Sequence, residues 1–79
     1  MDAALFERVK KLLVERFAID PARIHPETHF QKELNFDSMD ALDLLLAVNE
    51  VFSIRVPEQA LERINTVSDL VEAIAGRCL

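Results

Sequence analysis

The chain has 79 residues, of which 51% are hydrophobic, and its formal net charge is −5. A chain of this length forms one domain, residues 1–79, whose single modest core cannot enclose a deep active site on every side. The negative charge argues against nucleic acid and anionic membranes as partners, and it predicts partner proteins with basic patches. One glycine and no tryptophan or tyrosine are present, which favours helices over an antiparallel sheet.

The first predicted helix extends from Ala3 to Phe17, with Asp2 as its N-cap. Its apolar residues recur at spacings of three and four, which is the period of one helix face. This face consists of Leu5, Phe6, Val9, Leu12, Leu13 and Phe17. The pattern explains packing against a core and indicates no further function.

A long loop, residues 18–36, separates this helix from the next one. Asp20 and Pro21 near its start end the first helix and begin a turn, because proline at a first helical position follows a capping aspartate well. Loops this long in a small domain tend to be functional or to contain structure of their own. Ile24 and Phe30 are the apolar side chains that we expect to anchor the loop in the core.

Two residue pairs in the loop suggest local structure. Thr28 and Gln31 have the spacing of a capping box, which predicts a short helical turn near Phe30. His25 and His29 lie four residues apart, but no cysteine or carboxylate cluster completes a set of four metal ligands. We therefore interpret both histidines as loop residues and predict no metal site.

The second predicted helix extends from Ser38 to Phe52, with Asp37 as its N-cap. A rotation of about 100° per residue divides its side chains between two faces. The predicted core face consists of Ala41, Leu44, Leu45, Val48, Val51 and Phe52. The predicted outer face consists of Asp40, Asp43, Ala47 and Glu50, together with Met39 and Leu46.

Met39 and Leu46 form an apolar patch inside a rim of carboxylates on this outer face. Single exposed apolar residues are ordinary on soluble proteins. These two, however, lie on the same face as Ser38, which favours a docking surface for a partner protein.

Two further helices complete the predicted fold. Residues 58–64 form a short third helix after Val56 and Pro57, and Thr66 with Asp69 gives the start signal of the last helix. The buried stripe of the last helix consists of Val67, Leu70, Val71 and Ile74. The sequence therefore predicts an all-α fold, a small four-helix bundle with a long first loop and a short third helix.

Cys78 is the only cysteine, so no internal disulfide can form and a reducing, cytoplasmic compartment is the simplest interpretation. A thiol at a fraying chain end lacks the base and the pocket that catalysis needs, and we assign it no role. The sequence also predicts no membrane span and no secretory signal.

Ser38 is the residue to which we assign chemistry. A serine in the first turn of a helix has its hydroxyl at the surface, beside unpaired N–H groups and the positive end of the helix dipole. That environment suits an attached phosphate, although a serine that only caps the helix fits the position as well.

A catalytic serine needs a base, a group that orients the base and an oxyanion site. His25 and His29 have no obvious orienting group, so we predict that the chain is not an enzyme.

The whole arrangement resembles the acyl carrier protein family, from about Leu5 to Ile74. The matching positions are Phe30, Asp37-Ser38, Glu50, Phe52, Val56-Pro57 and Thr66-Val67. The family signature is commonly Gly-x-Asp-Ser-Leu, in which Asn35 and Met39 here replace the glycine and the leucine. Asparagine enters left-handed backbone conformations readily, and methionine keeps a flexible apolar side chain.

The resemblance implies that a phosphopantetheinyl transferase moves 4′-phosphopantetheine from coenzyme A onto Ser38. Acyl intermediates then travel on this arm as thioesters to acyl-transferring and condensing enzymes of fatty acid, polyketide or related lipid biosynthesis, and the bundle interior shelters the apolar chain. Partner enzymes of the family recognise the second helix through acidic positions, here Asp37, Asp43 and Glu50. Asn49 is neutral where an acid is frequent.

Two alternatives stay open at this point. The chain could be a peptidyl or aminoacyl carrier, although such carriers usually have a less acidic second helix. It could also be an unmodified helical interaction module that uses the patch of Met39 and Leu46. In each case we expect a cytoplasmic monomer.

Overall fold

The computed structural model describes residues 1–77, so Cys78 lies outside the described residues. These residues form three α-helices and two 3₁₀ helices. The α-helices are α1 (Ala3–Phe17), α2 (Ser38–Phe52) and α3 (Val67–Ala75), and the 3₁₀ helices are Pro21–Arg23 and Glu58–Arg63. Within residues 1–77 the only β-type pairing is one isolated bridge between His29 and Thr66. The predicted all-α fold is confirmed, and α1 and α2 begin and end where the sequence predicts.

Side-chain caps fix the starts of α1 and α3. The Asp2 carboxylate accepts a hydrogen bond from the Leu5 N–H at 3.1 Å. Thr66 and Asp69 form a capping box, in which the Thr66 hydroxyl accepts from the Asp69 N–H at 3.1 Å and the Asp69 carboxylate accepts from the Thr66 N–H at 3.0 Å. Each cap satisfies backbone donors that have no partner within the helix.

One hydrophobic core joins the helices, and α1 packs against α3. The apolar faces that the sequence predicts for these two helices supply most of it, and Ile24 and Phe30 anchor the long loop as expected. The buried residues of the three α-helices are Leu5, Val9, Leu12, Leu13, Leu44, Leu45, Ala47, Val48, Phe52, Val67, Leu70, Val71 and Ile74.

The predicted core face of α2 is wrong at two positions. Ala47 was predicted to face solvent but is fully buried, whereas Val51 was predicted to be buried and is 48% exposed. The 3₁₀ helix Glu58–Arg63 packs against α2, and Ala47 belongs to the same core cluster as Leu44, which precedes it by three residues. Helical phase alone cannot tell how much of the surface of α2 other parts of the chain cover.

The short third element is a 3₁₀ helix that ends at Arg63, one residue earlier than predicted. Its apolar side chains Ala60 and Leu61, and Ile64 beyond its end, are half-buried. A 3₁₀ helix seldom exceeds one or two turns. This segment is therefore a short helical connection that packs against α2.

The predicted capping box of Thr28 and Gln31 is also wrong. Thr28 is buried, and its hydroxyl accepts from the His25 N–H at 2.9 Å and donates to the Arg23 carbonyl at 3.0 Å. A buried hydroxyl has to find partners inside the protein, and these lie upstream in the loop. The turn near Phe30 exists, but His29 caps it, because His29 Nδ1 accepts from the Lys32 N–H at 3.1 Å.

The middle of the long loop is fixed against the start of α3. The Phe30 N–H donates to the Asn65 carbonyl at 2.9 Å, and the Val67 N–H donates to the Thr28 carbonyl at 3.0 Å. These two bonds flank the bridge between His29 and Thr66. The loop therefore lies beside α3 and α2 at the end of the bundle where Ser38 is found.

Candidate functional site

Ser38 is the first residue of α2, and its side chain is exposed. The cap of this helix is made by its neighbours. The Asp37 carboxylate accepts from the Asp40 N–H at 2.9 Å, and the Asp40 carboxylate accepts from the Asp37 N–H at 3.2 Å. Among residues 1–77, no hydrogen bond of this cap involves the Ser38 hydroxyl. The capping role that the sequence allowed for Ser38 thus belongs to Asp37, and the exposed serine hydroxyl takes no part in the cap.

The turn before α2 decides which side chains face inward. Asn35 has a φ of 57°, the left-handed conformation expected for asparagine at this position. The Phe36 N–H then donates to the Phe30 carbonyl at 3.0 Å. Phe36 is buried as a result, while Asp37 and Ser38 are exposed.

A cleft of about 280 Å³ opens beside Ser38. Its apolar walls combine three separate stretches of chain: the loop, the first turns of α2, and the 3₁₀ helix with the residues after it. Polar groups lie among them. The lining residues are His29, Phe30, Gln31, Phe36, Asp37, Ser38, Ala41, Leu44, Leu61, Ile64 and Asn65. Ligand pockets commonly measure roughly 300–1,000 Å³, so this cleft suits a small or slender apolar group.

The outer face of α2 agrees with the sequence at the predicted docking residues. Met39 is 74% exposed and Leu46 is 67% exposed. Asp43 and Glu50 are exposed as well. Since residues 38–52 contain no lysine or arginine, this face has a single sign of charge around its two apolar side chains. Such a surface complements a basic patch with an apolar centre.

Asn49 has a structural role that the sequence did not reveal. It is half-buried, its Nδ2 donates to the Val56 carbonyl at 3.2 Å, and its Oδ1 accepts from the Val56 N–H at 2.8 Å. The side chain thus ties α2 to the segment before the 3₁₀ helix. Asn49 therefore holds the segment that leads into the 3₁₀ helix and is committed to this contact rather than to the acidic face.

One carboxyl group with a shifted pKa, that of Asp69, is bonded to a residue that lines the cleft: its Oδ2 accepts from the Asn65 N–H at 2.9 Å. The hydrogen bond from the Asn65 N–H holds the pKa of Asp69 below its ordinary value, and burial opposes this shift. The N–H and the hydroxyl of Thr66, together with the electrostatic effect of the nearby His29, also lower the pKa of Asp69. Hydrogen bonds to the charged form account for the direction. Asp69 is a structural carboxylate, because its Oδ2 accepts from both the Asn65 N–H and the Thr66 N–H at the start of α3.

Within residues 1–77, no group of three His, Cys, Asp or Glu side chains is arranged to hold a metal ion. In the same part of the chain, none of the helices combines the length and the apolar character needed to cross a membrane.

Comparisons with known proteins agree with this geometry. The family model described as phosphopantetheine attachment site matches residues 7–74. An acyl carrier protein from Helicobacter hepaticus is 42% identical over 69 residues, which cover 87% of this chain and 91% of that protein. An acyl carrier protein from Thermosynechococcus vestitus is 33% identical over 73 residues, covering 92% and 90%. The chain belongs to the acyl carrier protein family, the phosphopantetheine-attachment proteins in which 4′-phosphopantetheine is covalently attached.

Proposed function

We propose that this chain is an acyl carrier domain, residues 1–79, that is modified with 4′-phosphopantetheine on Ser38. The observation that carries the proposal is the exposed Ser38 hydroxyl at the start of α2, which the capping box of Asp37 and Asp40 leaves unused. The relatives named acyl carrier protein support acyl groups as the cargo.

The residues around Ser38 fit a covalently attached phosphoester. The N-terminus of a helix favours a negative group through its dipole and its free N–H donors. The carboxylates of Asp37 and Asp40 oppose this effect, since they are negative as well. A covalent attachment, however, needs access to the hydroxyl rather than affinity for free phosphate, and Ser38 is exposed.

When attached, the arm supplies a thiol that holds an acyl group as a thioester. The chain itself contributes the cleft beside Ser38, whose apolar wall includes Phe30, Leu44 and Ile64. Burying an alkyl chain there removes apolar surface from water, which is worth about 0.8 kcal/mol for each methylene. The cleft therefore favours an acyl cargo over a charged aminoacyl group, whose burial would be costly.

The acidic face of α2 is the proposed docking surface for enzymes. Met39 and Leu46 supply apolar contacts, and Asp37, Asp43 and Glu50 supply charges. The partners are then a phosphopantetheinyl transferase and acyl-transferring or condensing enzymes with basic patches. We propose fatty acid, polyketide or related lipid biosynthesis as the pathway, and a cytoplasmic monomer as the working form.

The proposal is tested by the intact mass of the protein after incubation with coenzyme A and a broad-specificity phosphopantetheinyl transferase. Wild type should gain the mass of one phosphopantetheine, and Ser38→Ala should gain nothing. The matched control is Ser53→Ala, because Ser53 is also exposed but lies at the other end of α2. This control should gain the same mass as wild type.

Circular dichroism of Ser38→Ala should match wild type, because Asp37 provides the cap. A properly folded wild type that gains no mass would overturn the proposal. It would favour the unmodified interaction module instead.

A further inference from the structure

We infer that Phe36 is the residue that limits how long an acyl chain the cleft shelters, an inference that rests on the proposed function. Phe36 lines the cleft two residues before Ser38, and it is only 9% exposed. Its ring is held there by the turn at Asn35 and by the hydrogen bond of its N–H to the Phe30 carbonyl. The position of the ring is thus set by the backbone next to the attachment point.

Phe36 lies between the cleft and Phe17 at the end of α1. Its ring centroid lies 5.4 Å from that of Phe30, which also lines the cleft, and 5.1 Å from that of Phe17, which does not. Phe17 is the last residue of α1, is half-buried and packs against the core. The Phe36 ring therefore lies between a chain that enters beside Ser38 and the apolar side chains at the end of α1.

The side chains on the α1 side of the Phe36 ring are suitable for contact with a longer alkyl chain. Phe17 and the core side chains that it packs against are apolar, so space opened on this side would have an apolar lining. Shortening Phe36 removes ring atoms that the close-packed surroundings do not fully replace. The cleft would then extend from Ser38 toward α1.

The experiment uses acyl forms of the whole protein, from butyryl to palmitoyl, made with the transferase and the corresponding acyl-coenzyme A. The measurement is the rate at which hydroxylamine cleaves the thioester. This rate falls as a larger part of the acyl chain is sheltered, and the decrease in rate is the protection. Each newly sheltered methylene should slow cleavage by about fourfold, as the burial of one methylene predicts. In wild type the protection should increase with chain length and then level off at the length that fills the cleft.

In Phe36→Leu and Phe36→Val, the protection should continue to rise to longer chains before it levels off. Phe36→Leu keeps most of the apolar contacts and serves if Phe36→Val does not fold. The matched control is Phe52→Leu, since Phe52 is also 9% exposed but does not line the cleft. It should level off at the wild-type length.

Protection that levels off at the wild-type length in a folded Phe36 variant would overturn the inference. An equal shift of this length in Phe52→Leu would overturn it as well, because it would indicate general loosening of the core. Wild type that is loaded but unprotected at every length would overturn the role of the cleft while leaving attachment at Ser38 intact. A protein that accepts no arm at all would overturn the proposed function and this inference with it, and the mass spectrum distinguishes the two cases.

Discussion

Asn49 and Val56 are joined by a pair of hydrogen bonds, one from the Asn49 side chain to the Val56 carbonyl and one from the Val56 N–H to the Asn49 side chain. Val56 is buried, so its two backbone groups have no access to water. The pair fixes the chain between α2 and the 3₁₀ helix Glu58–Arg63. That 3₁₀ helix in turn forms one wall of the cleft beside Ser38.

Asn49→Ala should lower the free energy of unfolding by about 1–3 kcal/mol, because it leaves both backbone groups of Val56 without a partner. The measurement is urea unfolding followed by circular dichroism. Val51→Ala is the control on the same helix, since Val51 is half exposed and its loss should change stability by only about 0.5 kcal/mol. Equal stabilities of the two variants would contradict the role of Asn49.

Leu45 and Leu46 are adjacent leucines with opposite environments. Leu45 is buried and Leu46 is 67% exposed. Leu45→Ala should therefore cost about 2–5 kcal/mol of unfolding free energy, whereas Leu46→Ala should stay within about 0.5 kcal/mol of wild type. Leu46→Ala should nevertheless slow modification by the transferase, because it removes an apolar contact from the docking face. A core-sized loss of stability in Leu46→Ala would remove this residue from the docking surface.

The sequence predicts the helices well because their boundaries are encoded locally. Asp2, Asp37 and the pair Thr66 and Asp69 each cap the helix that the apolar spacing predicts. Local rules fail where a residue responds to a neighbour distant in the chain. Ala47 belongs to the core cluster, and the helical phase of α2 cannot reveal how much of the helix surface other parts of the chain cover.

Some features of the candidate site were also predictable from the sequence, and others were not. Ser38 and the acidic face follow from the resemblance and from the phase of one helix, so the sequence was sufficient to propose them. The cleft was not predictable residue by residue, since its walls come from the loop, α2 and the segment around Ile64. Sequence reasoning also missed the role of His29 in capping the turn near Phe30. Its imidazole accepts a backbone N–H, and histidine is seldom considered as a cap.

Charge reversal on the outer face of α2 should slow association with the transferase. Asp43→Lys and Glu50→Lys should each reduce the modification rate at low salt, because charges at the rim of an interface steer encounter more than they hold the complex. The difference from wild type should shrink at high salt, which screens exposed charges. Glu15→Lys, an exposed change on α1, is the control with the same change in net charge. A Glu15→Lys variant as slow as Asp43→Lys would show that only the net charge matters.

Asp69 should make the stability of the chain depend on pH. Its pKa in the folded state is lowered by the hydrogen bond from the Asn65 N–H and by the further groups at the start of α3. A lowered pKa means that the carboxylate stabilises the fold above its unfolded pKa, and that this stability is lost as the pH falls through the folded pKa. Asp69→Asn should therefore be less stable than wild type at neutral pH, with the difference shrinking in acid. Urea unfolding at both pH values measures this, and a difference that stays constant would contradict the assignment.

We expect the arm to be attached to Ser38 and to no other serine. Tandem mass spectrometry of the modified wild-type protein after proteolysis tests this most directly, because it locates the added mass on one residue. The whole mass gain should lie on Ser38, and the fragments containing Ser53 and Ser68 should be unmodified. Added mass on either of those serines, or on another residue while Ser38 stays unmodified, would contradict it.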